Sequence, residues 1–180
     1  MATQIQGAKI VTEEIENSAG ANPYSITLGT ESTTTGGTAI DFTGIPTGTS
    51  RIIVMLVGVS TSGTSNQQIQ IGDSGGIETS GYLSTVSNNN AGATSFTAAY
   101  GLNDTVASAG VTHGNITLTL EDATNNTWTC TSLLARSDFT VVIHGAGSKS
   151  LSGELTQLRI TMANGSDTFD VNGGVNIQYQ

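Results

Sequence analysis

The sequence predicts an all-β fold: an antiparallel β-sandwich of jelly-roll type with a short N-terminal arm. Apolar residues alternate with polar ones in nearly every segment after residue 38, as in half-buried strands. Turn-forming stretches rich in Gly, Asn and Ser separate these segments at regular intervals, and no convincing helical stripe interrupts them. A closed up-and-down barrel is the alternative, because a sequence does not reveal how its strands connect.

Six segments show the alternation of a strand with one buried face. In NITLTLED, for example, apolar side chains point to one face and threonines to the other. Because Trp128 alternates in phase with Cys130, it is predicted to lie in the core and not to form an exposed platform for a sugar. The apolar positions in chain order are Ile40 and Phe42; Ile69 and Ile71; Ile116, Leu118 and Leu120; Trp128 and Cys130; Leu158, Ile160 and Met162; and Val175, Ile177 and Tyr179.

Two segments, RIIVMLVGV (51–59) and FTVVIHG (139–145), are continuously apolar. This pattern is expected where both faces of a strand are covered. The sequence therefore places these strands at the centre of a sheet or against a neighbouring subunit.

The first 35 residues differ from the rest. The stretch AKIVTEEIEN could form one or two helical turns, while AGANP and TESTTTGGT have the composition of flexible joints. We therefore predict an arm over residues 1–35 and a single sandwich domain over 36–180.

The composition argues against several classes of partner. Five Lys and Arg against 14 Asp and Glu give a net charge of -9, and the basic residues are scattered, so nucleic acids and anionic membranes are not expected partners. No run of about 18 apolar residues and no signal peptide is present, so membrane insertion is not expected and synthesis is expected to be cytoplasmic. Cys130 is the single cysteine, which excludes an internal disulfide and a cysteine-based zinc site.

The stretch GDSGG (72–76) matches the residues around the nucleophile of chymotrypsin-like proteases. In those enzymes a histidine and then an aspartate precede the serine, whereas both histidines here, His113 and His144, follow Ser74. The order Ser74, Asp138, His144 would suit an α/β-hydrolase, but no helix is predicted after Ser74. We therefore predict a glycine-rich turn, no catalytic residues and no enzymatic activity.

Two further signals concern ligands. Asn164, Asp167, Asp170 and Asn172 offer oxygen atoms that suit calcium, but their spacing is not that of an EF-hand, and hairpin turns explain them equally well. No cofactor and no metal site is predicted. The longest polar loop begins at residue 87, and its candidate receptor-binding residues are Ser87, Asn88, Asn89, Asn90 and Thr94.

Three phrases carry a resemblance to a known family: DFTGIPTGTSRIIVMLVGVSTSG, IQIGDSGGIETSGYLS and GAGSKSLSGELTQLRITMANGSDTFDVNGGVNIQY. They resemble a β-domain of tailed bacteriophages, especially marine ones, that occurs at the ends of tail fibres and as small virion proteins. The resemblance covers residues 38–180 and includes GDSGG, which supports a turn at that motif.

The resemblance implies a non-enzymatic structural protein of the virion that forms a homotrimer. In one reading it is a fibre or spike component that contacts other virion proteins through residues 1–35 and presents its loops to a host-surface glycan. In the other it is a decoration protein, cement or head fibre, that stabilises the capsid shell. Neither reading carries a catalytic residue over to this chain.

Overall fold

The computed structural model describes residues 25–90, 92–103 and 108–180, and these residues form fourteen strands and no helix. The possible helical turns in AKIVTEEIEN lie outside the described residues. The strands are β1 (Thr27–Leu28), β2 (Ser32–Thr33), β3 (Ala39–Thr43), β4 (Arg51–Val59), β5 (Gln67–Asp73), β6 (Gly76–Ile77), β7 (Leu83–Asn88), β8 (Thr94–Phe96), β9 (Tyr100–Gly101), β10 (Thr112–Asp122), β11 (Thr127–Arg136), β12 (Val141–Ser150), β13 (Gln157–Met162) and β14 (Gly174–Tyr179).

The strands build two antiparallel sheets that pack face to face. The larger sheet has nine strands in the order β1-β14-β4-β10-β11-β12-β7-β8, with β2 also paired to β14. The smaller has five in the order β3-β13-β5-β6, with β9 also paired to β5. Both sheets end in free edge strands and do not close into a barrel, so the all-β, two-sheet prediction is confirmed. The long strands β10, β11 and β12 are consecutive and adjacent, a meander of well-registered pairs.

The core lies between the two sheets and is formed by the inward positions that the alternation predicted. Trp128 and Cys130 are both buried there, which confirms the prediction for Trp128. Burial raises the pKa of the Cys130 thiol to about 12, so the thiolate is scarce at neutral pH. Two tyrosines that the strand pattern did not identify, Tyr82 and Tyr100, meet edge to face in the same core with ring centroids 5.0 Å apart.

The first continuously apolar segment forms β4, which lies between β14 and β10, as a central strand should. Only one of its faces is covered by the smaller sheet. Ile52 and Val54 are fully buried, whereas Val57 on the opposite face is largely exposed. In the second segment, β12 begins at Val141, and Val142 points outward in the same way. The sequence predicted that both faces of these two strands are covered, but the chain itself covers only one face of each.

Part of the predicted arm joins the larger sheet. Thr27–Leu28 pairs with Gln178–Tyr179, and Ser32–Thr33 pairs with Gly174–Val175. The short strands β1 and β2 thereby cover the edge of β14, which would otherwise leave its backbone groups unpaired. Ordered structure in the described part of the chain thus begins before residue 36.

An ion pair ties the two sheets together at one end. The ammonium of Lys149, on β12 of the larger sheet, contacts the Glu78 carboxylate just after β6 of the smaller sheet, and Lys149 is buried. The Ser152 hydroxyl lies 2.8 Å from Glu78 Oε1, and the Ser152 N–H donates to the same oxygen at 2.8 Å. Burial alone would raise the pKa of Glu78, but the Lys149 and Ser152 contacts outweigh it and hold that pKa below its ordinary value.

This contact predicts a pH dependence. Since the pKa of Glu78 is lower in the folded state, its ionised form stabilises the fold above the ordinary value of 4.5, and that contribution is lost as the pH falls through the folded value. Glu78→Gln should therefore lower the free energy of unfolding at pH 7, because it leaves Lys149 buried without its partner. The difference between the variant and the natural protein should shrink towards about pH 3 in urea titrations. An equal difference at both pH values would contradict this account.

Candidate functional site

The outward face of the larger sheet is the most distinctive surface of the domain. Strand register aligns its side chains into rows that cross β4, β10, β11, β12 and β7. We call the two central rows the uncharged face, since neither contains Asp, Glu, Lys or Arg. One row is Met55, Asn115, Leu133, His144 and Ser87, and the other is Ile53, Thr117, Thr131, Ala146 and Thr85.

Apolar side chains are concentrated on this side of the sandwich. Eight large hydrophobic side chains are exposed in the described part of the chain, and six of them point outward from strands or termini of the larger sheet. Isolated exposed hydrophobics are common on protein surfaces, but a concentration on one face marks a surface that another molecule covers. The six are Ile26, Leu28, Val57, Leu83, Leu133 and Val142.

Charged groups lie at the border of this face. Arg51 occupies the first position of β4, one row beyond the central rows, where it pairs with Thr119. Glu31 lies beside Gly174 on the β14 side. Because the whole chain carries a net charge of -9, two copies repel over most of their surface. The uncharged face is where copies can approach without bringing carboxylates together.

The sequence pointed to this surface only indirectly. Its apolar segments suggested a subunit contact, but the alternation placed the threonines of β10 and β11 on the polar side of their strands and did not single out Leu133. The signal that could have found this surface is the absence of Asp, Glu, Lys and Arg from TWTCTSLLA (127–135), which leaves Arg136 as the only charged residue of β11.

The predicted receptor-binding residues lie at the turn between β7 and β8, at the end of the uncharged face. Ser87 and Asn88 belong to β7, and Asn88 is buried, with its Oδ1 accepting the Asn90 N–H at 2.7 Å. Asn89 Oδ1 accepts the Val142 N–H at 2.8 Å. Asn89, Asn90 and Thr94 are exposed, so they are the members of the set that a receptor could reach.

GDSGG forms the turn between β5 and β6, as predicted. Asp73 Oδ1 accepts the Gly75 N–H at 2.7 Å, which closes the turn, and Ser74 is exposed at its tip. The glycines have steric reasons to be there, since a Cβ on Gly72 would overlap the backbone of Gly76 and Gly76 has a φ of +127°. The residue pattern shared with serine proteases is thus explained by the requirements of a tight hairpin.

This explanation predicts opposite results for two neighbouring substitutions. Gly72→Ala should destabilise the fold by about 1–3 kcal/mol, because the added methyl group must displace backbone. Ser74→Ala should change the free energy of unfolding by less than about 0.5 kcal/mol. Thermal and urea unfolding of both variants would test the pair, and a large loss in Ser74→Ala would show that the turn depends on the serine hydroxyl.

The two histidines lie apart from this turn. Both belong to the larger sheet, whereas Ser74 belongs to the smaller one. His113 Nδ1 accepts the Gly58 N–H at 3.1 Å, and its Nε2 lies 3.1 Å from the Ser137 hydroxyl. His144 points outward on the uncharged face.

Asp138 belongs to an ion pair with Arg136. Its carboxylate contacts the Arg136 guanidinium and accepts a hydrogen bond from the Val111 N–H, and Arg136 is the main cause of the lowered pKa of this carboxyl.

The four residues with oxygen atoms that suit calcium do not form one cluster in the structure. Asn164 and Asp167 close one turn, in which Asn164 Oδ1 accepts the Asp167 N–H at 3.0 Å and Asn164 Nδ2 donates to Asp167 Oδ1 at 2.8 Å. The bond from Asn164 Nδ2, and after it the bond from the Ser65 N–H, lower the pKa of Asp167. Asp170 instead accepts the Ser60 hydroxyl at 2.7 Å, and Asn172 lies in the next turn with a φ of +75°. Among described residues, no three His, Cys, Asp or Glu side chains are grouped to hold a metal ion.

No family model, curated protein or solved structure matches the chain. The resemblance to bacteriophage β-domains therefore stays a prediction. No helix in the part of the chain that the structure describes is long and apolar enough to cross a membrane.

Proposed function

We propose that this protein is a non-enzymatic structural component of a bacteriophage particle and assembles as a homotrimer through the uncharged face of its larger sheet. The observation that carries the assembly step is the coincidence, on one face, of six exposed large hydrophobic side chains and two rows without ions. Depletion of charge in the centre and ions at the border are features of protein interfaces. Three copies around an axis would each turn this face inward.

The particle and the trimer come from the resemblance over residues 38–180, and the two-sheet fold is, in this proposal, of jelly-roll type. Many short strands on a surface of Ser, Thr, Asn and Gly suit a module that is exposed on an assembled particle. Residues 1–24, which precede the strands paired with β14, would attach the module to other virion proteins. Asn89, Asn90 and Thr94 would contact a host-surface glycan as part of a fibre or spike.

Binding measurements with two versions of the protein test this proposal. The full-length chain and a version that begins at Ser25 are added separately to particles that lack the protein and to host cells. The truncation keeps β1 and β2 and so preserves the edge of the larger sheet. A fibre or spike predicts particle binding by the full-length chain alone and cell binding by both versions. Stoichiometric binding to capsids without binding to cells would instead assign a decoration protein, and binding to neither would refute the virion role.

A further inference from the structure

We infer that protonation of His144 controls the assembly of this protein, so that copies joined through the uncharged face separate in mild acid. This control acts on the homotrimer proposed above and depends on it. His144 lies in the row of Leu133 and Ser87 and is exposed in the single chain. Among the ten side chains of the uncharged face, it is the one that can gain a charge near neutral pH.

His144 lies among the apolar side chains that assembly is expected to cover. It belongs to β12, which has β11 on one side and β7 on the other. Leu133 is directly opposite His144 on β11 and is 64% exposed, and Val142, two residues earlier on the same face, is 47% exposed. A partner that removes these two side chains from water must also cover the imidazole between them.

No carboxylate of the surrounding strands can pair with a protonated His144. Its outward neighbours are Val142 and Ala146 on β12, Thr131, Leu133 and Ala135 on β11, and Thr85 and Ser87 on β7. None of these side chains is acidic or basic. In the described part of the chain the ion pairs are Arg136 with Asp138, Lys149 with Glu78, and Arg159 with Asp41, and His144 belongs to none of them. A second copy that contributes the same two rows brings no carboxylate either.

The direction of the pH effect follows from this environment. A neutral imidazole can be covered by apolar and hydroxyl groups, whereas a buried imidazolium without a counter-ion is costly. Assembled chains therefore bind fewer protons than separate chains, and association weakens as the pH falls through the range of about 8 to 5 in which histidine ordinarily gains its proton. Each histidine that must lose its proton on assembly weakens association by up to about tenfold per pH unit.

The overall charge of the chain would produce the opposite trend. Copies with a net charge of -9 repel one another, and protonation of the two histidines reduces this repulsion. Most carboxylates stay ionised above about pH 5. If no histidine lay in the contact, acidification from about pH 7.5 to about pH 5.5 would therefore strengthen association slightly. Weaker association in this range is the signature of a histidine that assembly covers.

The test is sedimentation velocity of the full-length protein over a range of concentrations at pH 7.5 and pH 5.5, at one ionic strength. We expect trimers at pH 7.5 and an association constant at least about tenfold lower at pH 5.5. Trimers of equal stability at both pH values would overturn the control by His144 and leave the proposed assembly intact. Monomers at both pH values would refute the assembly and this control with it.

Far-UV circular dichroism at the two pH values shows whether the chains stay folded. We expect the same spectrum at both, because His144 is exposed in the single chain and its protonation costs the monomer little. A loss of strand structure at pH 5.5 would attribute the dissociation to unfolding and would overturn the inference.

Substitution of His144 makes the test specific. His144→Gln has a neutral polar side chain at both pH values, so this variant should form trimers that are not weakened at pH 5.5. His144→Arg carries a positive charge at both pH values, so it should lower the association constant at pH 7.5 by at least about tenfold. Acid dissociation that persists in His144→Gln, or normal assembly of His144→Arg, would refute the role of this residue.

His113→Gln is the matched control. His113 lies on β10 opposite Ala135, outside the two rows of the uncharged face, and a glutamine oxygen can accept the Gly58 N–H in place of its Nδ1. This variant loses one histidine, as His144→Gln does, but it should still dissociate at pH 5.5. If the pH dependence disappears in His113→Gln, the effect belongs to His113 and the inference is wrong.

Discussion

Leu133→Asp should convert the assembled protein to monomers while leaving each monomer folded. Leu133 lies on β11 in the centre of the uncharged face and is 64% exposed in the single chain, so aspartate meets water there when the chain is alone. In the trimer the same carboxylate would be buried without a partner. The cost of burying an unpaired charge is about 3–5 kcal/mol, which weakens association by at least about a hundredfold. Sedimentation velocity over a range of concentrations would measure the change.

Val171→Asp is the control for this experiment. Val171 is also 64% exposed and receives the same change of charge, but it lies in the turn before β14, outside the two rows of the uncharged face. Its variant should assemble like the natural protein. If Leu133→Asp assembles normally, or if both variants dissociate equally, the contact surface is not the uncharged face.

Leu134→Ala should reduce the free energy of unfolding by about 2–5 kcal/mol, because it removes a buried side chain and leaves a cavity in the core. Leu134 is 1% exposed and follows Leu133 directly, so the two leucines point to opposite faces of one strand. Leu133→Ala should change the stability of the monomer by less than about 0.5 kcal/mol. This pair of substitutions tests which side of the sheet faces the core.

Urea unfolding of both variants at several protein concentrations provides the measurement. Association stabilises native chains by mass action, so the effect of Leu133→Ala should appear only where the natural protein is assembled. The effect of Leu134→Ala should persist at every concentration. Equal losses for the two variants in dilute solution would mean that the smaller sheet does not cover the face assigned to it.

Strand identity could be predicted from the sequence because period-two alternation reports directly which side chains are buried. The alternation in NITLTLED and NTWTCTSL corresponds to β10, the longest strand of the fold, and to β11. The glycines of GDSGG indicated a turn for a steric reason that the structure makes explicit. The pairing of β7 with β8 was not predicted, because LSTVSN contains only two large apolar residues and has the composition of a polar loop.

The candidate sites depended on pairing between distant segments, which periodicity does not contain. The uncharged face requires that Met55, Asn115 and Leu133 lie side by side, and the register that aligns them is set across three strands. Gln68 is buried as well, although the alternation in QQIQI assigns only Ile69 and Ile71 to the core. Its strand pairs with β13 and β9, which come from distant parts of the sequence.

The mass of the natural protein in solution tests the central claim most directly. Sedimentation equilibrium of the full-length chain at micromolar concentrations should give three times the chain mass of 18.4 kDa, because the uncharged face is expected to be covered by further copies. A mass of 18.4 kDa across the whole concentration range would contradict assembly through that face.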